Sequence, residues 1–483
     1  MLFGVGAVLA RYVDFTTSPD SLVRPILVVA IGSLLLLLIT GAIAHDWDWS
    51  AMFVSALTLV TLRQYLLGLA LGTVCLWWIV IRVLRRWRRR VPPGQMLAAT
   101  SRATSILSLV YAAVMAVSAW SVTTSVPQFA YPSYGAGGTG GPNIYLILLD
   151  GYPRADTLEQ TFSIDNEPFL GELGDLGFIV SEAARSNYNK TWSTLASMLN
   201  GAYVDEMMGG QEAPERNATQ IRWLYDMINR ASMLDVLRER GYEIVTIPEA
   251  FRSTALMSAD EVLDDGDLTE FEVNLLSFSP WATLAKEPLR QVLADAQDHS
   301  VRDSLTTTTT LAAEDQSAPR FVFSHVQSPH TPFVLHGENV QRPALPDCFP
   351  TRCAFWNATI QETGMEFVDY RRALEVQLAE LNSLVLSMLR DITASDPEAV
   401  IIVMSDHGAR YSLDDTAEHY RAFLAARTPG RDELYEQDES PVNLLRNLFA
   451  AYFDAQLKPL PYEAWFSPWV DPLQLEQIQP VGP

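Results

Sequence analysis

Residues 23–44 read V-R-P-I-L-V-V-A-I-G-S-L-L-L-L-L-I-T-G-A-I-A. After Arg24 about twenty residues pass without a charge, enough for a helix to cross a hydrocarbon core of roughly 30 Å. Two more runs follow, at 65–84, interrupted only by Arg82 near its end, and at 104–126. Residues 51–62 are apolar but too short to cross alone. Residues 1–127 are therefore expected to form a transmembrane region of about three spans. Charge supports the division. Residues 1–140 hold ten Arg, no Lys, four Asp and no Glu, which is +6; the whole chain of 483 residues carries -23, so the remainder carries -29. A basic, apolar third followed by an acidic two-thirds excludes a single soluble domain and a disordered chain. It also excludes a nucleic-acid binder, which needs a basic face.

Orientation follows from arginine placement. Arg82, Arg85, Arg86, Arg88, Arg89 and Arg90 directly follow the second run, which places residues 85–102 in the cytoplasm. Residues 45–49 hold Asp46 and Asp48 and no Arg, and so fit the outside. Everything after residue 127 is then extracytoplasmic, on a multi-pass plasma-membrane protein. A transporter is disfavoured, because the spans hold no Asp or Glu. Residues 128–141, which include Y-P-S-Y-G-A-G-G-T-G-G, read as a flexible Gly/Pro-rich linker. Residues 142–470 form the expected outer domain, and 471–483 a C-terminal tail. Cys348 and Cys353 lie in D-C-F-P-T-R-C. An exported location permits a disulfide between them, and four intervening residues allow closure. A metal site is the alternative, though no His or third Cys is nearby.

The outer domain reads as α/β. Residues 143–149, 321–324 and 399–404 are continuous apolar runs, as expected of strands buried on both faces, and 242–247 is a shorter one. Helical stretches at 231–240 and 366–392 alternate with them. The pattern predicts a mostly parallel sheet flanked by helices, with its chemistry at the carboxyl ends of the strands. Three strand ends carry metal-competent side chains: Asp150, then His325 and His330, then Asp406 and His407. One such ending is commonly a cap, but three in order, in a chain with only seven His, point to a site. Two Asp and one His suit a divalent ion with an open position for a reacting oxygen. Residues 185–200, R-S-N-Y-N-K-T-W-S-T-L-A-S-M-L-N, place hydroxyls before a helix with Leu195, Met198 and Leu199 on its apolar side. A hydroxyl there meets free N–H groups and the positive end of the dipole. Thr191, Ser193 and Thr194 all qualify on chemistry, as nucleophile or as plain cap.

These motifs, L-I-L-L-D-G, N-Y-N-K-T-W-S-T-L-A-S-M-L-N, H-V-Q-S-P-H-T-P-F and V-M-S-D-H-G, resemble the alkaline phosphatase superfamily, and most closely its membrane-anchored, sulfatase-like branch of lipoteichoic acid synthases and phosphoethanolamine transferases. The late segment S-P-V-N-L-L-R-N-L-F is similar as well, so the likeness covers about 143–460. The resemblance implies a sulfatase-like α/β fold and an enzyme that transfers or hydrolyses phosphoesters on a lipid head group or envelope polymer. It implies one divalent metal ion (Zn, Mn, Mg or Ca) held by Asp150, Thr191, Asp406 and His407. Thr191 takes the place of the nucleophile, to be phosphorylated in passing, and His330 that of a contact to the transferred group. His325 is a weaker substrate-binding candidate, and His419, Lys190 and Asn187 are weaker still.

Three departures matter. Sulfatases carry C-x-P-S-R or S-x-P-S-R where this chain has K-T-W-S-T, which counts against sulfate ester hydrolysis. The first carboxylate is Asp150, where the lipoteichoic and phosphoethanolamine branches use Glu. A second Asp/His/His set, needed for two metals, is not evident. The remaining alternatives are a sulfuric ester hydrolase and a non-catalytic relative used in envelope assembly. Many Arg against few Lys points to a GC-rich bacterial genome.

Overall fold

Every side chain of β1 (Ile144–Leu149) is fully buried, and the reason is two-sided packing. Ile144, Leu146 and Leu148 enter one hydrophobic core; Tyr145, Ile147 and Leu149 enter another on the opposite face of the sheet. An unbroken apolar run is what period-two alternation demands when neither face meets water. The computed structural model describes residues 19–44, 127–135, 137–264, 268–277, 281–350, 359–410, 417–432, 434–479 and 482. Contacts divide the chain into two units, 1–125 with 268–291, and 126–267 with 292–483.

In the first unit, α1 (Pro19–Ala44) is a 26-residue helix that exposes Leu27, Ile31, Leu34, Leu35, Leu38, Ile39 and Ile43. Two short helices, Glu270–Ser277 and Trp281–Leu284, belong to the same unit. The sequence places them inside one continuous outer domain, whereas the contacts group them with the N-terminal unit. The runs at 65–84 and 104–126 lie outside the described residues.

The second unit is built on a seven-stranded sheet. In chain order its other strands are β2 (Ile179–Val180), β3 (Glu243–Ile247), β4 (Glu261–Val262), β5 (Arg320–Val326), β6 (Val400–Met404) and β7 (Leu424–Arg427). Their spatial order is β2-β7-β6-β1-β5-β3-β4. The five strands from β6 to β4 are parallel, and β7 and β2 close one edge antiparallel. The sheet is thus mostly parallel, as the apolar runs predict. The antiparallel edge is a feature the sequence did not announce, because L-A-A-R and a two-residue strand carry too little pattern.

Helices pack on both faces, among them α2 (Thr191–Asn200), α3 (Asn217–Asn229), α4 (Lys286–Ala313), α5 (Phe367–Ser395) and α6 (Pro441–Phe453). α4 contains five consecutive threonines, which ordinarily disfavour helix by restricting χ1. Four of them answer within the helix: Thr306, Thr308, Thr309 and Thr310 donate their hydroxyls to the carbonyls of Arg302, Ser304, Leu305 and Thr306.

Residues 127–135 and 137–141 are docked rather than free. Phe129 is buried with its ring edge-on to Trp223, Ala130 N–H donates to Met207 O at 2.8 Å, and Tyr134 OH donates to Asn200 O at 2.8 Å. Its aromatic side chains, not its glycines, decide its state. Residues 464–478 are held too. β9 (Glu476–Ile478) pairs antiparallel with β8 (Ala464–Phe466), and Leu473 is buried with its N–H on Gln220 Oε1.

One buried carboxyl makes stability depend on pH. Glu439 accepts from Ser440 N–H and from Asn447 Nδ2, and burial pushes its carboxyl from near 4.5 up to about 7. A raised folded-state pKa means the folded protein binds this proton more tightly than the unfolded one. Its contribution is full below about pH 4.5 and is lost as pH rises through 7, by at most about 3 kcal/mol. Glu439→Gln should flatten the fall in melting temperature between pH 5 and 8. An unchanged pH slope in the variant would rule this group out as its source.

Candidate active site

The parallel order β6-β1-β5-β3 aligns the carboxyl ends of four adjacent strands. Asp406 and His407 follow β6, Asp150 follows β1, and His325 sits near the end of β5. Asp150, Asp406 and His407 are buried and present ligand atoms within 4.8 Å of one another. His407 Nε2 lies 3.4 Å from Asp150 Oδ1 and 3.3 Å from Asp406 Oδ2.

The backbone prepares these atoms. His407 Nδ1 is 2.8 Å from Gly408 O, and a carbonyl can only accept, so Nδ1 carries the proton and Nε2 keeps its lone pair. Asp406 Oδ1 accepts from Gly151 N–H at 3.1 Å, which leaves Oδ2 toward the imidazole. Gly151 has φ +71°, and a Cβ there would stand 3.1 Å from His407 Cε1. Asp150 Oδ1, Asp406 Oδ2 and His407 Nε2 have no hydrogen-bond partner. Burying such groups unpaired is costly. Three orphaned donors of the right kind, converging at this depth, fit a divalent cation. Burial alone would raise Asp150, but His330, His325 and His407 around it hold its carboxyl well below the usual range.

Thr191 is the first residue of α2, with Lys190 extended at the N-cap. The helix is tied to the Asp406 loop: Thr194 Oγ1 donates to Asp406 O at 3.0 Å, and Ser186 Oγ to the same oxygen at 2.6 Å. Of the three hydroxyls left open by local sequence, Thr194 is thus engaged with backbone and Ser193 is wholly buried, while Thr191 keeps some exposure.

A pocket is lined by Gly151, His330, His407 and Arg410, with Phe333 and Tyr370 among its apolar walls. His330 N–H donates to Asp150 O at 2.9 Å, and its Nδ1 faces Thr331 O at 2.7 Å, which turns Nε2 into the proton-accepting atom. Desolvation lowers the His330 pKa; Arg410 and His407 act in the same sense, and Asp150 opposes them. Arg410 is buried. Its Nη2 donates to Asn189 O at 3.0 Å and its Nε has no hydrogen-bond partner. Lys190 is buried with its Nζ 4.9 Å from the centre of the Trp469 ring; burial, then Arg410, holds its pKa well below the ordinary value. A buried guanidinium and a buried amine near a helix N-terminus offer N–H donors that suit an anion. Arg410 was not singled out in the sequence, although its place three residues after His407 was a usable signal.

The other predicted residues lie as follows. His325 is 1% exposed, with Nε2 3.7 Å from Asp150 Oδ2 and Nδ1 3.2 Å from Glu249 Oε1. Burial works against its charged form, but Glu249 and Asp150 raise it to about 9. Glu249, just beyond β3, was missed in the sequence because one carboxylate after a short strand looks like a cap. Asn187 is fully engaged, donating to Tyr203 OH and Glu463 O and accepting from Val442 N–H. His419 is buried, and its carbonyl accepts from Gly408 N–H at 2.8 Å. Cys348 is disulfide-bonded, and Cys353, its expected partner, lies outside the described residues.

Residues 142–437 match the Sulfatase family model. Among solved structures, the C-terminal periplasmic domain of EcEptC from Escherichia coli aligns at TM-score 0.44 and 14% identity, covering 73% of this chain and 96% of that one. The integral membrane protein lipooligosaccharide phosphoethanolamine transferase A from Neisseria meningitidis aligns at 0.40 and 12%, covering 85% and 70%. Phosphonate monoester hydrolase of Agrobacterium radiobacter aligns at 0.44 and 13%, covering 67% and 80%. No curated protein matches the chain in sequence. Since the family model takes in more than half of its residues, the chain belongs to the sulfatase family and is an enzyme of the alkaline phosphatase superfamily.

Proposed function

We propose that the chain is a membrane-anchored transferase or hydrolase of phosphoesters, acting outside the cytoplasm on a lipid head group or envelope polymer. The observation that carries this reading is the convergence of the orphaned Asp150, Asp406 and His407 atoms, on a loop that Thr194 ties to the helix beginning at Thr191. Asp150, Thr191, Asp406 and His407 would hold a divalent cation, which when bound supplies Lewis-acid stabilisation of developing charge. Thr191 Oγ1 attacks phosphorus and the ester oxygen departs, leaving phosphothreonine for water or an acceptor hydroxyl to resolve. His330 Nε2, its ring fixed through Nδ1, takes the proton of the Thr191 hydroxyl and passes it to the departing oxygen. Arg410 and Lys190 orient the anion. Threonine in place of the sulfatase Cys or Ser supports phosphate over sulfate. The anchor rests on sequence alone, on the apolar runs at 23–44, 65–84 and 104–126 and the arginine cluster after residue 81; among the described residues no helix is long and apolar enough to cross a membrane.

The test is a panel of phosphate monoesters, phosphodiesters and sulfate esters, assayed on detergent-solubilised full-length protein with Zn²⁺, Mn²⁺, Mg²⁺ or Ca²⁺. Metal-dependent turnover confined to phosphoesters is expected. Turnover of sulfate esters alone would replace this reading with a sulfuric ester hydrolase. No turnover of any class, with metal bound, would favour a non-catalytic envelope relative.

A further inference from the structure

The row of strand ends does not stop at Asp150. The next two strands, β5 and β3, add His325 and Glu249, and these form with Asp150 a second convergent group whose ligand atoms lie within 4.8 Å of one another. We propose that Asp150, Glu249 and His325 form a second divalent-cation site, joined to the first through the Asp150 carboxylate.

Three observations carry this. The Asp150 oxygens diverge: Oδ1 faces His407 on one side and Oδ2 faces His325 on the other. A carboxylate in that attitude is built to bridge two positive centres. The three side chains are also deeply buried, at 6%, 3% and 1% exposure for Asp150, Glu249 and His325. Finally, they are not satisfied by one another. Thr254 Oγ1 donates to Glu249 Oε1 at 2.8 Å, yet Glu249 Oε2 and both ring nitrogens of His325 have no hydrogen-bond partner. Each ring nitrogen is within ion-pair distance of a carboxylate, but neither makes a hydrogen bond to it: Nε2 stands 3.7 Å from Asp150 Oδ2, too far, and Nδ1, 3.2 Å from Glu249 Oε1, does not meet it in hydrogen-bonding geometry. An imidazolium between the two acids would leave both of its N–H groups without a hydrogen bond. A small cation asks only for oxygen and nitrogen lone pairs, and two carboxylates with one imidazole suit Mn²⁺, Zn²⁺ or Mg²⁺. Buried carboxylates without such compensation are expensive to keep.

The inference shares Asp150 with the proposed active site but does not depend on phosphoester chemistry, and the test separates the two. Full-length protein in detergent is stripped with chelator, and Mn²⁺ or Zn²⁺ is returned in a calorimetric titration, with bound metal counted by elemental analysis. Two cations per chain are expected in the wild type. Glu249→Gln and His325→Gln should each retain one. His407→Ala should also retain one, at the Glu249 side. A wild-type stoichiometry of one would overturn the proposal, as would two cations in a folded Glu249→Gln. The wild-type count decides the matter even where a variant does not fold. Two bound cations without phosphoester turnover would leave this site standing and remove the functional reading.

Discussion

Thr191→Ala is expected to lower phosphoester turnover by roughly 10³–10⁶-fold, the range seen when a covalent nucleophile is removed. Stability should barely change. Thr191 opens α2, where its own N–H needs no intrahelical partner, and no side-chain hydrogen bond caps the helix at Lys190. The hydroxyls that tie α2 to the Asp406 loop belong to Thr194 and Ser186, and both survive the substitution. The measurement pairs kcat on the best phosphoester with a melting curve, and adds mass spectrometry of trapped protein to find the phosphorylated residue. Activity within tenfold of wild type, or an adduct on Ser193, would remove Thr191 from the role. Thr194→Ala makes a useful contrast. It should lower both stability and rate, because it removes one of the two hydroxyls that hold the Asp406 carbonyl rather than a nucleophile.

The second large effect concerns Gly408. A Cβ at this residue would stand 2.1 Å from Glu418 O, 2.5 Å from Arg421 O and 3.0 Å from Arg421 C. All three are backbone atoms, so no side-chain rotation relieves the overlap. The segment 418–421 is in turn fixed, since Gly408 N–H donates to His419 O and Arg154 N–H donates to Arg421 O at 3.1 Å. Gly408→Ala should therefore destabilise by about 3 kcal/mol or more, at the upper end of overpacking costs. It should also impair metal binding, because the strain falls on His407, whose Nδ1 is oriented by the Gly408 carbonyl. Thermal unfolding and metal titration check this together. A variant that melts within a degree of wild type and binds metal normally would show that the loop yields where the packing says it cannot.

The two glycines of the site divide by cause. Gly151 adopts a left-handed φ and also lets His407 approach, so local conformation already favours glycine there. Gly408 has no positive φ; only a chain segment arriving from elsewhere forbids its side chain. In the sequence both read as part of short motifs, and neither reason is visible. Glu249 and Arg410 follow the same logic. A carboxylate after a short strand and an arginine in a loop are ordinary until the sheet order brings one beside His325 and the pocket walls close around the other.

What the sequence determined by itself was local. Continuous apolar runs specified strands buried on both faces, strand-end Asp and His marked the edge where Asp150, Asp406 and His407 meet, and the spacing of Leu195, Met198 and Leu199 specified α2. These signals are carried by residues adjacent in the chain, where period and burial are written directly. The tertiary structure decided which hydroxyl at the start of α2 keeps some exposure, which imidazole nitrogen keeps its lone pair, and that Asp150 turns one oxygen to each neighbour. Those outcomes depend on partners more than 150 residues away, such as Asp406 against Ser186, Thr194 and Gly151. A hydrogen bond or a steric limit between such partners leaves no trace in the order of the residues.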